Sequence, residues 1–203
     1  MHRALFLGPH TCPWWFGYTF DNRFRRLVHD PQQVLGSFVR PGQTVVDIGC
    51  GLGYFSLALA ELVGPKGKVI AIDLQSQMVK RAQRRAERRG LAKRIDFRTC
   101  EPRSLGYQGT ADFVLAFWMV HEVEDQDRLL AEIRSFLKHG GLLLIAEPKV
   151  HVPASRFAAT VDLARAAGYE VKEGPPVRFS RSIVCRNLGV EDEPVPSGSA
   201  LTS

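Results

Sequence analysis

The sequence contains no apolar run longer than the eight residues of Phe113–Val120. A helix that crosses a membrane takes about 20 such residues, so no membrane span is expected. At the amino terminus only Ala4–Leu7 is apolar before Gly8-Pro9, too short for the core of a secretory leader. Cysteine is scarce: Cys12, Cys50, Cys100 and Cys185 stand far apart and form no C-x-x-C pair. That excludes a zinc ribbon and argues against a disulfide-built secreted domain. No internal repeat is present, and with 45% hydrophobic and 24% charged residues the composition is wrong for a disordered chain. A length of 203 residues suits one domain with short additions, large enough to hold its own core. The chain reads as cytoplasmic.

Charge is unevenly placed. Of the net +6, a charge of +7 falls between Lys80 and Arg94, where eight basic residues face the single acid Glu87, and the rest of the chain carries −1. Lys80, Arg81, Arg84, Arg85, Arg88 and Arg89 recur at helical spacing opposite Met78, Ala82 and Ala86. The stripe is either a solvated outer helix face or a docking surface for RNA phosphates. No aromatics interleave with the cations, as a single-strand binder would want.

From residue 44 to 147, short Val-, Ile-, Phe- and Leu-rich runs alternate with helical patterns. Thr44–Ile48, Lys68–Ile72, Ile95–Thr99, Asp112–Phe117 and Leu142–Ala146 read as buried strands. Tyr54–Val63, Gln75–Arg89 and Asp125–Lys138 read as helices, with a further helix from Pro153 to Ala167 and strands near Tyr169–Lys172 and Val177–Cys185. The alternation predicts an α/β fold, a parallel sheet with right-handed crossovers and helices on both faces. Short helices are expected to start near Asp21 and at Asp30-Pro31. Residues 190–203, rich in Pro, Ser, Gly and acids, read as a disordered tail behind a domain of residues 31–189.

The strongest local signal is Val45-Val46-Asp47-Ile48-Gly49-Cys50-Gly51-Leu52-Gly53, a buried strand running into G-x-G-x-G with a helix directly after. Glycines there permit a sharp turn and let a ligand reach main-chain N–H groups. Asp73, at the end of the next strand, would lie beside this loop, where a carboxylate can accept from both hydroxyls of a ribose. A pyrophosphate-binding loop favours G-x-G-x-x-G, but here Tyr54 follows Gly53 and the acid Asp47 precedes the loop. A ligand carrying ammonium and sulfonium charges suits Asp47 better, which favours S-adenosylmethionine over NAD.

Asp-Ile-Gly-Cys-Gly-Leu-Gly, followed by Val69-Ile70-Ala71-Ile72-Asp73, resembles the first motif and acidic loop of class I S-adenosylmethionine-dependent methyltransferases. Ala111-Asp112-Phe113-Val114-Leu115 is similar to the family's fourth strand. Leu129–Lys138 with His139-Gly140-Gly141 is similar to its L-K-P-G-G turn, His139 replacing the proline. The resemblance covers about residues 31–187 and is greatest to the branch of quinone-biosynthesis and other small-molecule methyltransferases. It implies a Rossmann-like seven-stranded, mostly parallel sheet whose last two strands form an antiparallel edge. It also implies that Gly49, Cys50, Gly51 and Gly53 line the cofactor, Asp47 orients its methionine end, Asp73 holds the ribose and Leu74 packs on adenine. Glu101 stands where the family has an Asp beside the adenine amino group, although Pro102 departs from the pattern and a solvated loop acid is the alternative. Phe117 ends the fourth strand, where backbone meets the methionine ammonium.

His121 is the candidate general base, needed if the acceptor must lose a proton, or else a structural histidine of the loop. The Asn/Asp-Pro-Pro-Tyr/Phe signature of the family's nucleic-acid amino-methylating members is absent after the fourth strand. Phe117-Trp118-Met119 there is either an acceptor wall or core. Residues 1–30 concentrate aromatics. Trp14 and Tyr18 are candidate acceptor contacts in a lid, the alternatives being an anchor to the sheet edge or a dimer contact. Arg23 or Arg25 could meet an acidic acceptor. The expected partner is a small molecule with an apolar or aromatic part, with RNA methylation and a non-catalytic binding module as rivals. Monomer and homodimer both remain open.

Overall fold

In the computed structural model, residues 28–189 are described. The expected helix near Asp21, the aromatic segment with Trp14 and Tyr18, Arg23 and Arg25, and the tail from residue 190 lie outside them. The elements in chain order are α1 (Pro31–Leu35), β1 (Thr44–Ile48), α2 (Tyr54–Val63), β2 (Lys68–Asp73), α3 (Ser76–Arg88), β3 (Ile95–Thr99), β4 (Ala111–Phe117), α4 (Gln126–Phe136), β5 (Leu137–Pro148), α5 (Ala154–Ala166), β6 (Tyr169–Glu173) and β7 (Ser180–Asn187). Local chemistry sets the helix starts. Asp30 accepts from the N–H of Gln32 ahead of Pro31, and Asp125 accepts from the N–H of Arg128.

The seven strands lie in the order β3-β2-β1-β4-β5-β7-β6. β1 to β5 run parallel, and β7 is antiparallel to both β5 and β6. Alternate strand residues supply two cores. Val45, Val69, Ala71, Phe113, Leu115 and Leu144 face α1, α2 and α3. Val46, Ile70, Ile72, Val114, Leu143 and Ile145 face α4 and α5. This is why the strands read as unbroken apolar runs: both faces are covered.

Two strand starts differ from the sequence expectation by more than two residues. The strand foreseen at Leu142 begins at Leu137, which pairs with Ala111 before the register shifts to Phe113↔Leu142. Lys138 reaches Asp112 (2.6 Å) and the amide of Asn187 donates to the Leu137 carbonyl (2.6 Å), which holds this bulged stretch in the sheet. The last strand starts at Ser180 rather than Val177. Pro175 and Pro176 offer no N–H to a ladder, and Phe179 turns with φ +59° before pairing begins.

Chain order reverses between β1 and β4, so the helices that follow these strands leave on opposite faces and open a crevice at their carboxyl ends. Phe113, fully buried at the centre of the sheet, sets the stability of this frame. Phe113→Ala should cost about 3–5 kcal/mol of unfolding free energy. Urea denaturation would measure it, and a loss below about 1 kcal/mol would contradict the packing described.

Candidate active site

The five residues Gly49–Gly53 join β1 to α2 across the crevice. The N–H groups of Gly49 and Cys50 both donate to the Ile72 carbonyl, at 2.8 and 3.0 Å, which leans the loop on the end of β2. Gly49 has φ +69°, and a Cβ there would stand 2.9 Å from Cβ and Cγ of Met119. The close approach of the segment after β4 therefore requires glycine. Gly51 has φ +54°, and a Cβ there would meet nothing within 4 Å. The loop thus presents bare backbone to open space, a cradle that side chains would fill.

Asp73 closes the cradle from the side. It is 8% exposed. One carboxylate oxygen accepts from the N–H of Gly51 and the other from the N–H of Gln75, both at 2.8 Å. Burial pushes its pKa up, and the two backbone bonds oppose that rise. A carboxylate has about four acceptor positions, so each oxygen keeps capacity for a ligand hydroxyl. Asp47 lies fully buried behind the loop and accepts from the Ser56 hydroxyl of α2 at 2.5 Å. Cys50 is buried between these acids. Burial first, then Asp73 and Asp47, drives its thiol pKa well up, so it packs as a neutral thiol. Leu74 follows Asp73, half-buried. Cys100, at the end of β3, is pushed up to about 11 by burial and by Asp73.

Glu101 is exposed on a tight turn closed by two backbone bonds with Ser104. The turn borders a 380 Å³ cavity that also touches Cys100 and Leu105. Its far wall is fixed by Glu132 of α4, whose Oε1 accepts from the Ser104 hydroxyl and from the N–H groups of Leu105 and Gly106. Glu101 is thus on the β3 side of the crevice, where an adenine amino group is expected.

The end of β4 separates the Phe-Trp-Met run into different roles. Phe117 is buried core, its ring 4.5 Å from that of Phe55. Trp118 is half-buried with φ +60°, and its indole N–H donates to Ser180 Oγ at 2.8 Å. Met119 packs over Gly49. His121 follows in a short 3₁₀ turn, its Nδ1 hydrogen-bonded to Glu147 Oε2. The basic helix also divides. Lys80, Arg84, Arg88, Arg89 and Lys93 are exposed, but Arg81 and Arg85 are half-buried and Arg85 donates to the Leu52 carbonyl at 2.7 Å. Arg89 stands 3.8 Å from Glu61. The expected uniform stripe is therefore narrower, because α3 lies against the glycine loop.

The structure brings Gly49, Cys50, Gly51, Gly53, Asp73 and Leu74 to one wall of the crevice with Asp47 buried behind it, Glu101 on one flank, Trp118 and His121 on the other, and Phe117 in the core beneath them. Trp14 and Tyr18 lie outside the described residues. Three residues beside the site were not anticipated. Ser56 was signalled by its hydroxyl in an almost wholly apolar helix. Glu147 was signalled by an acid that directly follows the apolar strand. His29 had no local signal, yet it is buried with its ring 5.2 Å from Phe117 and 4.9 Å from Trp118. Its Nε2 donates to the Arg178 carbonyl at 2.9 Å.

A family model described as a methyltransferase domain matches residues 40–173. The ubiquinone/menaquinone biosynthesis C-methyltransferase UbiE of Hydrogenovibrio crunogenus is 32% identical over 112 residues, 55% of this chain and 44% of that protein. The carboxy-S-adenosyl-L-methionine synthase of Shewanella amazonensis is 29% identical over 76% of this chain and 69% of its own. Among solved structures, a SAM-dependent methyltransferase from Aquifex aeolicus superposes with a TM-score of 0.77 at 25% identity, over 87% of this chain and all of that one. The chain spans a little under half the length of the UbiE proteins it matches, 44% and 47% in two of them.

Because burial raises the Asp73 pKa above its ordinary 3.8, the carboxylate takes up a proton earlier on acidification than an exposed aspartate does. Affinity for S-adenosylhomocysteine should therefore begin to fall, as the pH is lowered from neutrality, before ordinary aspartates titrate at about 3.9. Calorimetric titration across that range checks it, and a constant affinity would contradict it.

Proposed function

We propose that this chain, which belongs to the methyltransferase-domain family whose cofactor is S-adenosylmethionine, methylates a small molecule with an apolar or aromatic part. The observation that carries the reading is the cradle itself: open space over Gly51 beside a buried carboxylate that still has acceptor capacity. The backbone of Gly49 and Gly51 would line the methionine end, their N–H groups being already given to the Ile72 carbonyl and to Asp73. Asp47 acts there through the loop it underpins. Asp73 would bind the ribose hydroxyls, with Leu74 and Glu101 toward the base. When bound, the cofactor supplies a methyl carbon on a cationic sulfur, which an electron pair of the acceptor displaces while the C–S pair stays on sulfur. Much of the catalysis is then positioning.

Trp118, half-exposed at the end of β4, offers a flat face to the acceptor. His121 on the same rim is the proposed base for the proton that the acceptor gives up. The UbiE relative, and a demethylmenaquinone methyltransferase of Lactobacillus johnsonii that is 33% identical over 54% of this chain, make a hydroquinone ring the first acceptor to try. We place the enzyme in the cytoplasm. No helix among the described residues is long and apolar enough to cross a membrane.

One observation favours a second reading, methylation of RNA: Lys80, Arg84 and Arg88 are exposed at consecutive turns of α3. It predicts salt-sensitive RNA binding that Arg84→Glu with Arg88→Glu abolishes.

Binding of S-adenosylhomocysteine by isothermal titration tests the cofactor site. Asp73→Ala should weaken it at least 10-fold, and unchanged binding would overturn the site. Incubation with labelled S-adenosylmethionine and reduced demethylmenaquinone tests the acceptor class. Transfer of label to the ring is expected, and its absence would remove the quinone assignment.

A further inference from the structure

Glu147 is 1% exposed, at the carboxyl end of β5. It does two things at once. Oε1 accepts from the backbone N–H of Val120 at 2.9 Å, and Oε2 is bonded to Nδ1 of His121. A buried carboxylate has a high cost unless donors surround it, and these two donors come from adjacent residues of the turn after β4. The same turn is held from other elements. Gln126 of α4 donates to the Val120 carbonyl at 3.1 Å, and Arg156 of α5 donates to the His121 carbonyl at 2.8 Å. The imidazole is therefore fixed in place, with 15% of its side chain exposed.

An ionised carboxylate can only accept. Nδ1 must then carry the ring proton, and Nε2 is left with its lone pair. We infer that Glu147 is a positioning residue: it fixes His121 in the Nδ1–H tautomer and so presents Nε2 as the proton acceptor for the methyl-accepting atom. This deepens the proposed function and rests on His121 acting as base there. It also narrows the substrate class to acceptors whose nucleophile bears a proton, such as a phenol, an enol or a hydroquinone. The proton leaves the acceptor hydroxyl for Nε2, and the electron pair so released, on oxygen or delocalised to the ring carbon, forms the bond to the methyl group as the methyl–sulfur bond breaks with its pair left on sulfur; in the carbon case the ring C–H proton then passes to the oxygen and restores the hydroquinone. The charged and titratable groups around the ring are Glu147 from β5, His151 from the next loop, stacked with a centroid distance of 6.2 Å, and Arg156 from α5. Glu122 and Glu124 flank it in sequence.

Glu147→Gln is a sharp test because the variant is isosteric. The Val120 N–H still needs an acceptor, so the new amide oxygen faces it and the amide NH₂ faces Nδ1. His121 Nδ1 must then accept, and the ring proton moves to Nε2. Long-range ¹⁵N–¹H correlation spectra in alkaline buffer read the tautomer without any acceptor. The wild type should show Nδ1–H, and Glu147→Gln should show Nε2–H with an unchanged melting temperature and unchanged S-adenosylhomocysteine affinity. With reduced demethylmenaquinone as probe, kcat should fall by about 100-fold or more while KM holds. An Nε2–H tautomer in the wild type, or full kcat in Glu147→Gln, overturns the assignment. If the wild type does not turn the probe over, the spectra still decide the role of Glu147, and the failure falls on the acceptor.

Discussion

The site depends on one buried carboxylate. Asp73 is taken out of water at the end of β2, which is unfavourable unless donors replace the lost hydration. Its two donors are the N–H of Gly51 and the N–H of Gln75. The first fixes the glycine loop, and the second fixes the start of α3. Loop shape, helix placement and a ribose-ready acceptor are therefore one constraint. Arg85 adds a second tie, from α3 to the Leu52 carbonyl of the loop. The basic helix is in this sense part of the site's scaffold as well as a charged surface.

On the other side of the crevice the backbone is strained. Trp118 and Phe179 hold positive φ without being glycine, an arrangement that costs about 1–3 kcal/mol at each position. The two are coupled: the Trp118 indole donates to Ser180, and Phe179 accepts from the Lys149 N–H at 2.9 Å. His29 completes the contact through the Arg178 carbonyl. The ends of β4, β5 and β7 are locked together where the proposed acceptor would lie. The rim thus resists the averaging that would loosen His121 and Trp118 from their positions.

The fold was legible because its signals are local. Strand runs alternate with helices, caps sit at Asp30 and Asp125, and one glycine-rich turn follows β1. Asp73 was legible because its distance along the chain from the loop equals one helix and one strand. The parts that escaped depend on contacts across the fold. Glu147 meets His121 across 26 residues, and His29 meets Arg178 across 149. No periodicity records such pairs. The bulge after α4 was likewise hidden, since the helical pattern reads through Lys138 and Gly140-Gly141 reads as a turn, whereas Asp112 and Asn187 draw this stretch into the sheet. The basic stripe was overread because spacing alone does not show which arginines turn inward.

The central claim is that the space over Gly51 beside Asp73 holds S-adenosylmethionine. A crystal structure of the chain with S-adenosylhomocysteine tests it most directly. The account predicts both ribose hydroxyls on the Asp73 carboxylate and the amino-acid end against the backbone of Gly49 and Gly51, with the sulfur turned toward the rim that carries Trp118 and His121. A ligand bound elsewhere, or no ligand in the space over Gly51, would contradict the account.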